Sequence, residues 1–112
     1  MADIDIYTLG NKDGLKGERQ MLIERIGTAA MLEQTAEECA ELSQACLKAS
    51  RLLRGENPVY KDKREILANL HEEIADLYIC LDELQHSEII REKKVNAWVI
   101  RKLARMVERW EK

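Results

Sequence analysis

The sequence predicts an all-α protein, an antiparallel bundle of one short and three long helices. Three observations support this fold class. The chain has one proline and five glycines in 112 residues and no phenylalanine, and so few breakers and few aromatic residues favour long helices over a sheet. Charged residues make up 35% and hydrophobic residues 46%, and the hydrophobic ones recur at helical spacing. A chain this short has little interior, so we expect oligomerisation to complete the core.

The positions of the glycines divide the sequence into two regions. Residues 1–17 form a lead-in segment, because Gly10, Gly14 and Gly17 interrupt any regular spacing. Residues 18–112 form a single helical domain. This domain opens with a short helix that contains Leu22 and Ile26, and Gly27 is expected to end or bend that helix.

A long second helix is predicted from about residue 29 to residue 53. The segment Arg54-Gly-Glu-Asn-Pro58 ends it, with glycine and then proline in the order typical of a helix C-terminus. Residues 54–62 are the one clear loop. The apolar stripe of this helix is predicted to contain Leu32, Cys39, Cys46 and Leu53, interleaved with Leu42 and Ala49.

Two further helices follow. The third is predicted over about residues 63–85, with an apolar stripe of Leu67, Leu70, Ile74, Leu77, Leu81 and Leu84. A break near residues 86–88 leads to a last helix over about residues 89–111, with a stripe of Ile89, Val99, Leu103, Met106 and Trp110 that also carries Asn96. We expect such stripes to meet across a two-fold axis in a homodimer, or in a tetramer of paired dimers.

The cysteines and the net charge restrict the cellular compartment and the kinds of partner that we expect for this protein. Cys39, Cys46 and Cys80 lie in apolar helical stretches without a C-x-x-C pair, which predicts reduced, buried thiols and argues against a zinc site. Neither a basic, apolar leader nor a run of about 18 apolar residues is present. We therefore expect a cytoplasmic protein with no membrane partner. The net charge of −3 argues against binding a nucleic acid polymer.

Two pairs of acidic residues stand out. Glu38 and Glu41 are three positions apart on the second helix, and Glu73 and Asp76 are three apart on the third. Each acid directly precedes a residue of its own predicted apolar stripe, so both pairs are displaced in the same rotational sense. If the helices pack as antiparallel neighbours, four carboxylates converge, and an all-oxygen cluster suits Mg²⁺ or Mn²⁺. The alternative is that these are ordinary acids on solvated helix faces.

A helical bundle that binds two iron ions is another kind of site that uses carboxylate ligands. It needs an E-x-x-H unit on each of two helices. Glu83 and His86 form one such unit, but Ala68 precedes His71 at the matching position. We set di-iron aside and interpret His86 as a residue at the C-terminal end of its helix.

With these residues in view, the chain resembles the MazG-like all-α nucleotide pyrophosphohydrolases, whose hallmark is E-E-x-x-E on one helix and E-x-x-D on the next. Here the motifs are Glu37, Glu38 and Glu41, then Glu73 and Asp76. The resemblance extends from about Gly27 to Arg105. Ile26 and Met31 depart from residues that smaller family members often carry, which leaves the nucleotide preference open.

The resemblance implies a reaction and a set of site residues. Glu38, Glu41, Glu73 and Asp76 would hold Mg²⁺, with Mn²⁺ possible, and Glu37 and Glu38 would serve catalysis, Glu37 by orienting the attacking water. Lys102 and Arg105 would bind phosphates. Apart from the resemblance, the position of Asn96 on an apolar stripe predicts that it either sets the register between helices or contacts the substrate. The expected activity cleaves a (deoxy)nucleoside triphosphate into monophosphate and pyrophosphate, as house-cleaning of the nucleotide pool. The alternatives are a phosphoribosyl-ATP pyrophosphohydrolase and a non-catalytic helical interaction module.

Overall fold

The computed structural model describes residues 20–56 and 62–111. They form four α-helices: α1 (Leu22–Ile26), α2 (Thr28–Arg54), α3 (Lys63–His86) and α4 (Glu92–Trp110). Neither range contains a strand, so the predicted all-α fold class is confirmed. The predicted lead-in segment 1–17 and most of the predicted loop lie outside the described residues.

Helix ends follow local backbone chemistry. Gly27, with φ of 89°, separates α1 from α2. Gly55 ends α2 in the left-handed region, with φ of 69° and ψ of 16°, where a side chain would be strained. Asp62 begins α3, because its side chain accepts a hydrogen bond from the Glu65 amide at 2.9 Å. The predicted bounds of α2 and α3 agree with these ends to within one residue.

The start of the last helix was predicted three residues too early. A turn over residues 87–91 separates α3 from α4, and Glu88 lies at φ of 65° within it. Ile90 packs against the core from this turn. Ile89 therefore belongs to the connection rather than to the apolar stripe of α4.

The antiparallel pair of α2 and α3 is the main packing contact of the chain. On α2 its buried residues are Met31, Ala45 and Ala49. On α3 the buried apolar residues are Ile66, Cys80 and Leu84. On both helices the successive spacings are 14 and 4 residues, which fit the seven-residue repeat of a coiled-coil seam.

The seam of α2 contains Ala49 as predicted, but its other positions lie one residue before the predicted Leu32, Cys39, Cys46 and Leu53. The predicted stripe residues Leu32 and Leu53 are 44% and 71% exposed, and the thiols of Cys39 and Cys46 are exposed as well. Burial was correctly predicted only for the third thiol, Cys80. Because alanines at the seam permit a close approach of α3, the larger residues of the neighbouring stripe are left outside this contact.

One end of the helix pair is closed by α1. Met21 and Ile23 pack against Met31, Cys80 and Leu84 in a buried cluster. Glu83 Oε1 accepts a hydrogen bond of 2.7 Å from the Ile23 amide, near the N-terminus of α1 where backbone donors lack helical partners. His86 Nε2 lies 2.7 Å from Glu24 Oε1. As predicted, His86 is the last residue of its helix.

By contrast, α4 stands apart from the other helices. None of its residues is buried, and it makes no extensive contact with α1, α2 or α3. In the ranges that the structure describes, no helix is both long enough and apolar enough to cross a membrane.

The Glu83 contact yields a first test. Glu83→Ala leaves the buried Ile23 amide without its acceptor, so the free energy of unfolding should fall by about 1.5–3 kcal/mol, as for a charge-assisted hydrogen bond. Chemical denaturation measures this change. Glu72→Ala, at an exposed position of the same helix, should remain within about 0.5 kcal/mol of wild type. Equal effects for the two variants would contradict a capping role for Glu83.

Candidate metal centre

Four carboxylates converge between α2 and α3. Glu38 and Glu41 come from α2, and Glu73 and Asp76 come from α3. One oxygen atom from each of the four lies within 4.8 Å of those of the other three. Residues three apart lie on the same side of a helix, so each helix contributes two neighbouring carboxylates, and the antiparallel packing places the two pairs opposite each other.

Two of these acids occupy the seam itself. Glu38 lies between Met31 and Ala45 at seven-residue spacing, and Glu73 lies between Ile66 and Cys80 in the same way. All four flanking residues are buried, and both glutamates are half-buried. The sequence had suggested positions beside the seam, but the one-residue shift of the seam places these two carboxylates within it. Apolar side chains normally fill such positions.

The cluster contains buried oxygens without partners. Among the described residues, neither Oε2 of Glu38 nor Oε2 of Glu73 has a hydrogen-bond donor, although both atoms are buried. Oε1 of Glu38 accepts a hydrogen bond of 2.8 Å from Gln34 Nε2. Buried polar atoms are costly unless they are paired. Two such oxygens in one cluster therefore indicate a site for a positively charged ligand.

Electrostatics at Glu73 agree with this interpretation. Desolvation raises the pKa of Glu73 above its ordinary value of 4.5, and a hydrogen bond with the Glu41 side chain raises it further. The charges of Glu41, Asp76 and Glu38 act in the same direction. Without a cation, a further negative charge at Glu73 is therefore unfavourable. A bound divalent cation would remove that constraint.

The thiol of Cys80 is buried on α3, four residues after Asp76. Desolvation raises the pKa of this thiol, as do the charges of Glu38 and Asp76, while a hydrogen bond with Thr35 opposes them. The Thr35 hydroxyl also donates to the Met31 carbonyl oxygen at 2.7 Å. These effects disfavour the thiolate form of Cys80 in the metal-free protein. The sequence pattern had not singled out Gln34, Thr35 or Cys80 as neighbours of the site, because the predicted seam was shifted by one residue.

The donor set suits a hard cation. Carboxylate oxygens are the ligands that Mg²⁺ and Mn²⁺ prefer, whereas thiolate and imidazole sites favour softer metals. Glu38, Glu41, Glu73 and Asp76 would hold such an ion. The residues of the dismissed di-iron unit have structural contacts instead, Glu83 with the Ile23 amide and His86 with Glu24.

Four other site residues predicted from the sequence lie apart from the cluster or at its margin. Glu37 is exposed on α2, directly before Glu38. Asn96, Lys102 and Arg105 are exposed on α4, which makes no extensive contact with α2 or α3. Contacts within the described parts of one chain therefore do not bring these three to the carboxylates. Their roles in binding substrate remain predictions.

Fold and site together define an all-α protein with a carboxylate cluster suited to a divalent cation. No family model, curated protein or solved structure matches the chain. The resemblance to MazG-like enzymes therefore depends on the motif residues themselves.

Charge-removing substitutions in the cluster should change thermal stability differently with and without metal. Glu38→Gln, Glu41→Gln, Glu73→Gln and Asp76→Asn each remove one negative charge at nearly constant shape. Without metal, the melting temperature should hold or rise, because repulsion is relieved. The stabilisation by Mg²⁺ should shrink in all four; in wild type it is about 2.7 kcal/mol when free Mg²⁺ is about 100 times Kd. Thermal melts with EDTA and with Mg²⁺ measure both effects.

Glu72→Gln is the matched control for this series. Glu72 is exposed and directly precedes Glu73 on α3, so its variant should melt like wild type in both conditions. If the four cluster variants also respond to Mg²⁺ as wild type does, the carboxylates do not form a metal site.

The raised pKa of Glu73 predicts a pH effect on the metal-free protein. The pKa of the Glu73 carboxyl is higher in the folded protein than the ordinary value of 4.5, which we take for the unfolded chain. Protonation of Glu73 therefore stabilises the fold fully at pH values below 4.5. This stabilisation is lost as the pH rises through the pKa of the folded state. Glu73→Gln cannot titrate. The stability of wild type relative to this variant should therefore decrease from pH 4 to pH 7 in EDTA. Denaturant melts measure it, and a relative stability that increases over this interval would contradict the shift.

Proposed function

We propose that this protein is a Mg²⁺-dependent pyrophosphohydrolase that converts a (deoxy)nucleoside triphosphate into monophosphate and pyrophosphate. The observation that supports it most is the convergence of Glu38, Glu41, Glu73 and Asp76 within 4.8 Å. The MazG-like motifs contain these same four residues. Mn²⁺ is the alternative ion for the same oxygen ligands.

The metal ion and the side chains would contribute different parts of the proposed reaction. When bound, the metal ion supplies positive charge at the phosphate oxygens, which stabilises charge that develops in the transition state. The four carboxylates fix the position of that charge, and Gln34 restrains one of them through its hydrogen bond to Glu38. In hydrolysis, a bond forms between a water oxygen and the α-phosphorus, the bond to the bridging oxygen breaks, and pyrophosphate leaves. Such transfers depend mainly on positioning and electrostatics.

Residues outside the cluster complete the proposal. Glu37 is exposed beside Glu38 and would orient the attacking water and accept its proton. Lys102 and Arg105 would bind the phosphates of the substrate, since charge-assisted bonds to phosphate are strong. Asn96 would contact the substrate or set a helix register. We further propose that the protein works as a homodimer or tetramer in the cytoplasm.

The test is an assay of the purified chain with Mg²⁺ against a panel of ribo- and deoxyribonucleoside triphosphates and phosphoribosyl-ATP. We expect equal amounts of monophosphate product and pyrophosphate, without orthophosphate, and no reaction in EDTA. Glu41→Gln should lower kcat/KM by roughly 10²-fold or more, as for loss of a group that stabilises transition-state charge. Lys102→Ala and Arg105→Ala should weaken triphosphate binding while leaving Mg²⁺ stabilisation intact.

Glu72→Gln is again the control, and it should retain wild-type turnover. Cleavage of phosphoribosyl-ATP alone would assign the protein to that narrower reaction. If no member of the panel is cleaved although Mg²⁺ binds, the proposed enzyme function is wrong, and the alternative of a non-catalytic helical module is favoured.

A further inference from the structure

A cavity of about 440 Å³ lies where the turn after α3 meets the first turns of α4. Its apolar walls come from Ile89, Ile90, Val95 and Trp98. Ile90 also packs against the buried core cluster, so part of the wall is fixed to the body of the protein. Small-molecule sites typically have volumes of about 300–1,000 Å³ and mainly apolar walls with a few polar groups. This cavity, which we call the Trp98 pocket, therefore has the size and the lining of a small-molecule site.

The aromatic residue of this pocket is restrained but not buried. Trp98 is 51% exposed, and the guanidinium carbon of Arg101 lies 4.9 Å from the centre of its ring, a cation–π contact. The other residues of the pocket all precede Trp98 in the chain, whereas Arg101 follows it. An exposed indole ring of restrained orientation, placed beside an apolar cavity, suits a ligand with a flat ring, because aromatic rings stack on each other.

Positively charged side chains lie on the same side of α4 as Trp98. Four basic residues share that side because they lie three, four or seven positions from Trp98, namely Lys94, Arg101, Lys102 and Arg105. All four are exposed, and none of them forms an ion pair in the described ranges. A surface with several unpaired positive charges attracts anions. The Trp98 pocket therefore lies next to a surface suited to phosphate groups.

Charge also indicates how a ligand would be oriented. Residues 88–94 hold three basic and two acidic residues, a net of +1, whereas residues 99–109 hold four basic and one acidic residue, a net of +3. Glu88 is one of the acids before Trp98, and it lines the pocket. Anionic groups are therefore favoured on the C-terminal side of Trp98. Lys102 and Arg105 lie there, about 6 Å and 10 Å farther along the helix axis, in the order in which phosphates follow the base of an extended nucleotide.

We propose that the Trp98 pocket binds the base of the nucleotide substrate, with the indole ring of Trp98 stacked on it, and that the phosphates extend along α4 to Lys102 and Arg105. The base is then recognised at a site separate from the metal ligands. The inference rests on the proposed function for the identity of the ligand, a nucleoside triphosphate. It concerns binding to α4, so it holds whichever chain supplies the carboxylates that meet the phosphates.

Calorimetric titration of the full chain in EDTA measures this binding without hydrolysis, because the proposed reaction requires Mg²⁺. The probes are dATP, dGTP, dCTP and dTTP, and inorganic triphosphate serves as the probe that has phosphates but no base. We expect the tightest of the four nucleotides to bind at least tenfold more tightly than inorganic triphosphate. Nucleotides that bind no more tightly than inorganic triphosphate, or no binding of either kind of probe, would contradict a base pocket.

Substitutions separate the base from the phosphates. Trp98→Ala should weaken binding of the tightest nucleotide by roughly 5- to 150-fold, the effect of removing an aromatic ring that stacks on a base, and leave inorganic triphosphate unaffected. Trp98→Phe keeps an aromatic ring and should recover most of the lost affinity. Lys102→Ala and Arg105→Ala should weaken binding of both kinds of probe. Trp110→Ala is the matched control, because Trp110 is also exposed on α4 but does not line the pocket.

Two results with the variants would overturn the proposal. One is a loss in Trp98→Ala that is equal for the nucleotide and for inorganic triphosphate, or absent for both. The other is a loss of the same size in Trp110→Ala. The proposed enzyme function fails separately, in the Mg²⁺ assay. If nothing is cleaved but binding in EDTA follows the expected pattern, the pocket stands and the enzyme function is wrong. If wild type and Trp98→Ala cleave a nucleotide with the same KM, the pocket alone is wrong.

Discussion

Electrostatic repulsion among the four clustered carboxylates is the main physical constraint on the packing of α2 against α3. Glu38 and Glu73 occupy seam positions that apolar residues would normally fill, and each has a buried oxygen without a partner in the described parts of the chain. Desolvation and the neighbouring charges raise the pKa of Glu73. The metal-free helix pair therefore carries a destabilising feature at the centre of its main contact, and a divalent cation would convert it into a cross-link between α2 and α3.

The remainder of the chain stabilises the ends of this contact. Ala45 and Ala49 are buried in the seam beyond the cluster, and α1 closes the opposite end through the buried cluster around Met31. The Glu83 contact shows the other use of a buried acid. There a carboxylate accepts a backbone hydrogen bond, whereas at the cluster Oε2 of Glu38 and Oε2 of Glu73 have no donor among the described residues. Pairing, rather than charge alone, separates a structural glutamate from a candidate ligand.

Much of the fold could be predicted from the sequence, because breakers and caps act locally. Gly27 and Gly55 mark helix ends that the structure reproduces to within one residue. The spacing of the acids also placed them on matching sides of two adjacent helices. The register of the seam could not be predicted, because α2 has two adjacent apolar stripes, and composition does not say which one faces α3. The predicted start of α4 was also wrong, since residues 87–91 form a turn in which neither glycine nor proline occurs and Glu88 lies at φ of 65°.

The most direct measurement of the central claim is anomalous X-ray diffraction from crystals of the protein grown with Mn²⁺. We expect an anomalous peak between α2 and α3, at about 2.0–2.6 Å from oxygens of Glu38, Glu41, Glu73 and Asp76, the range of hard-cation bonds to oxygen. Crystals of Glu41→Gln under the same conditions should show a weaker peak or none. A peak elsewhere, or none at this cluster in wild type at saturating Mn²⁺, would contradict the account.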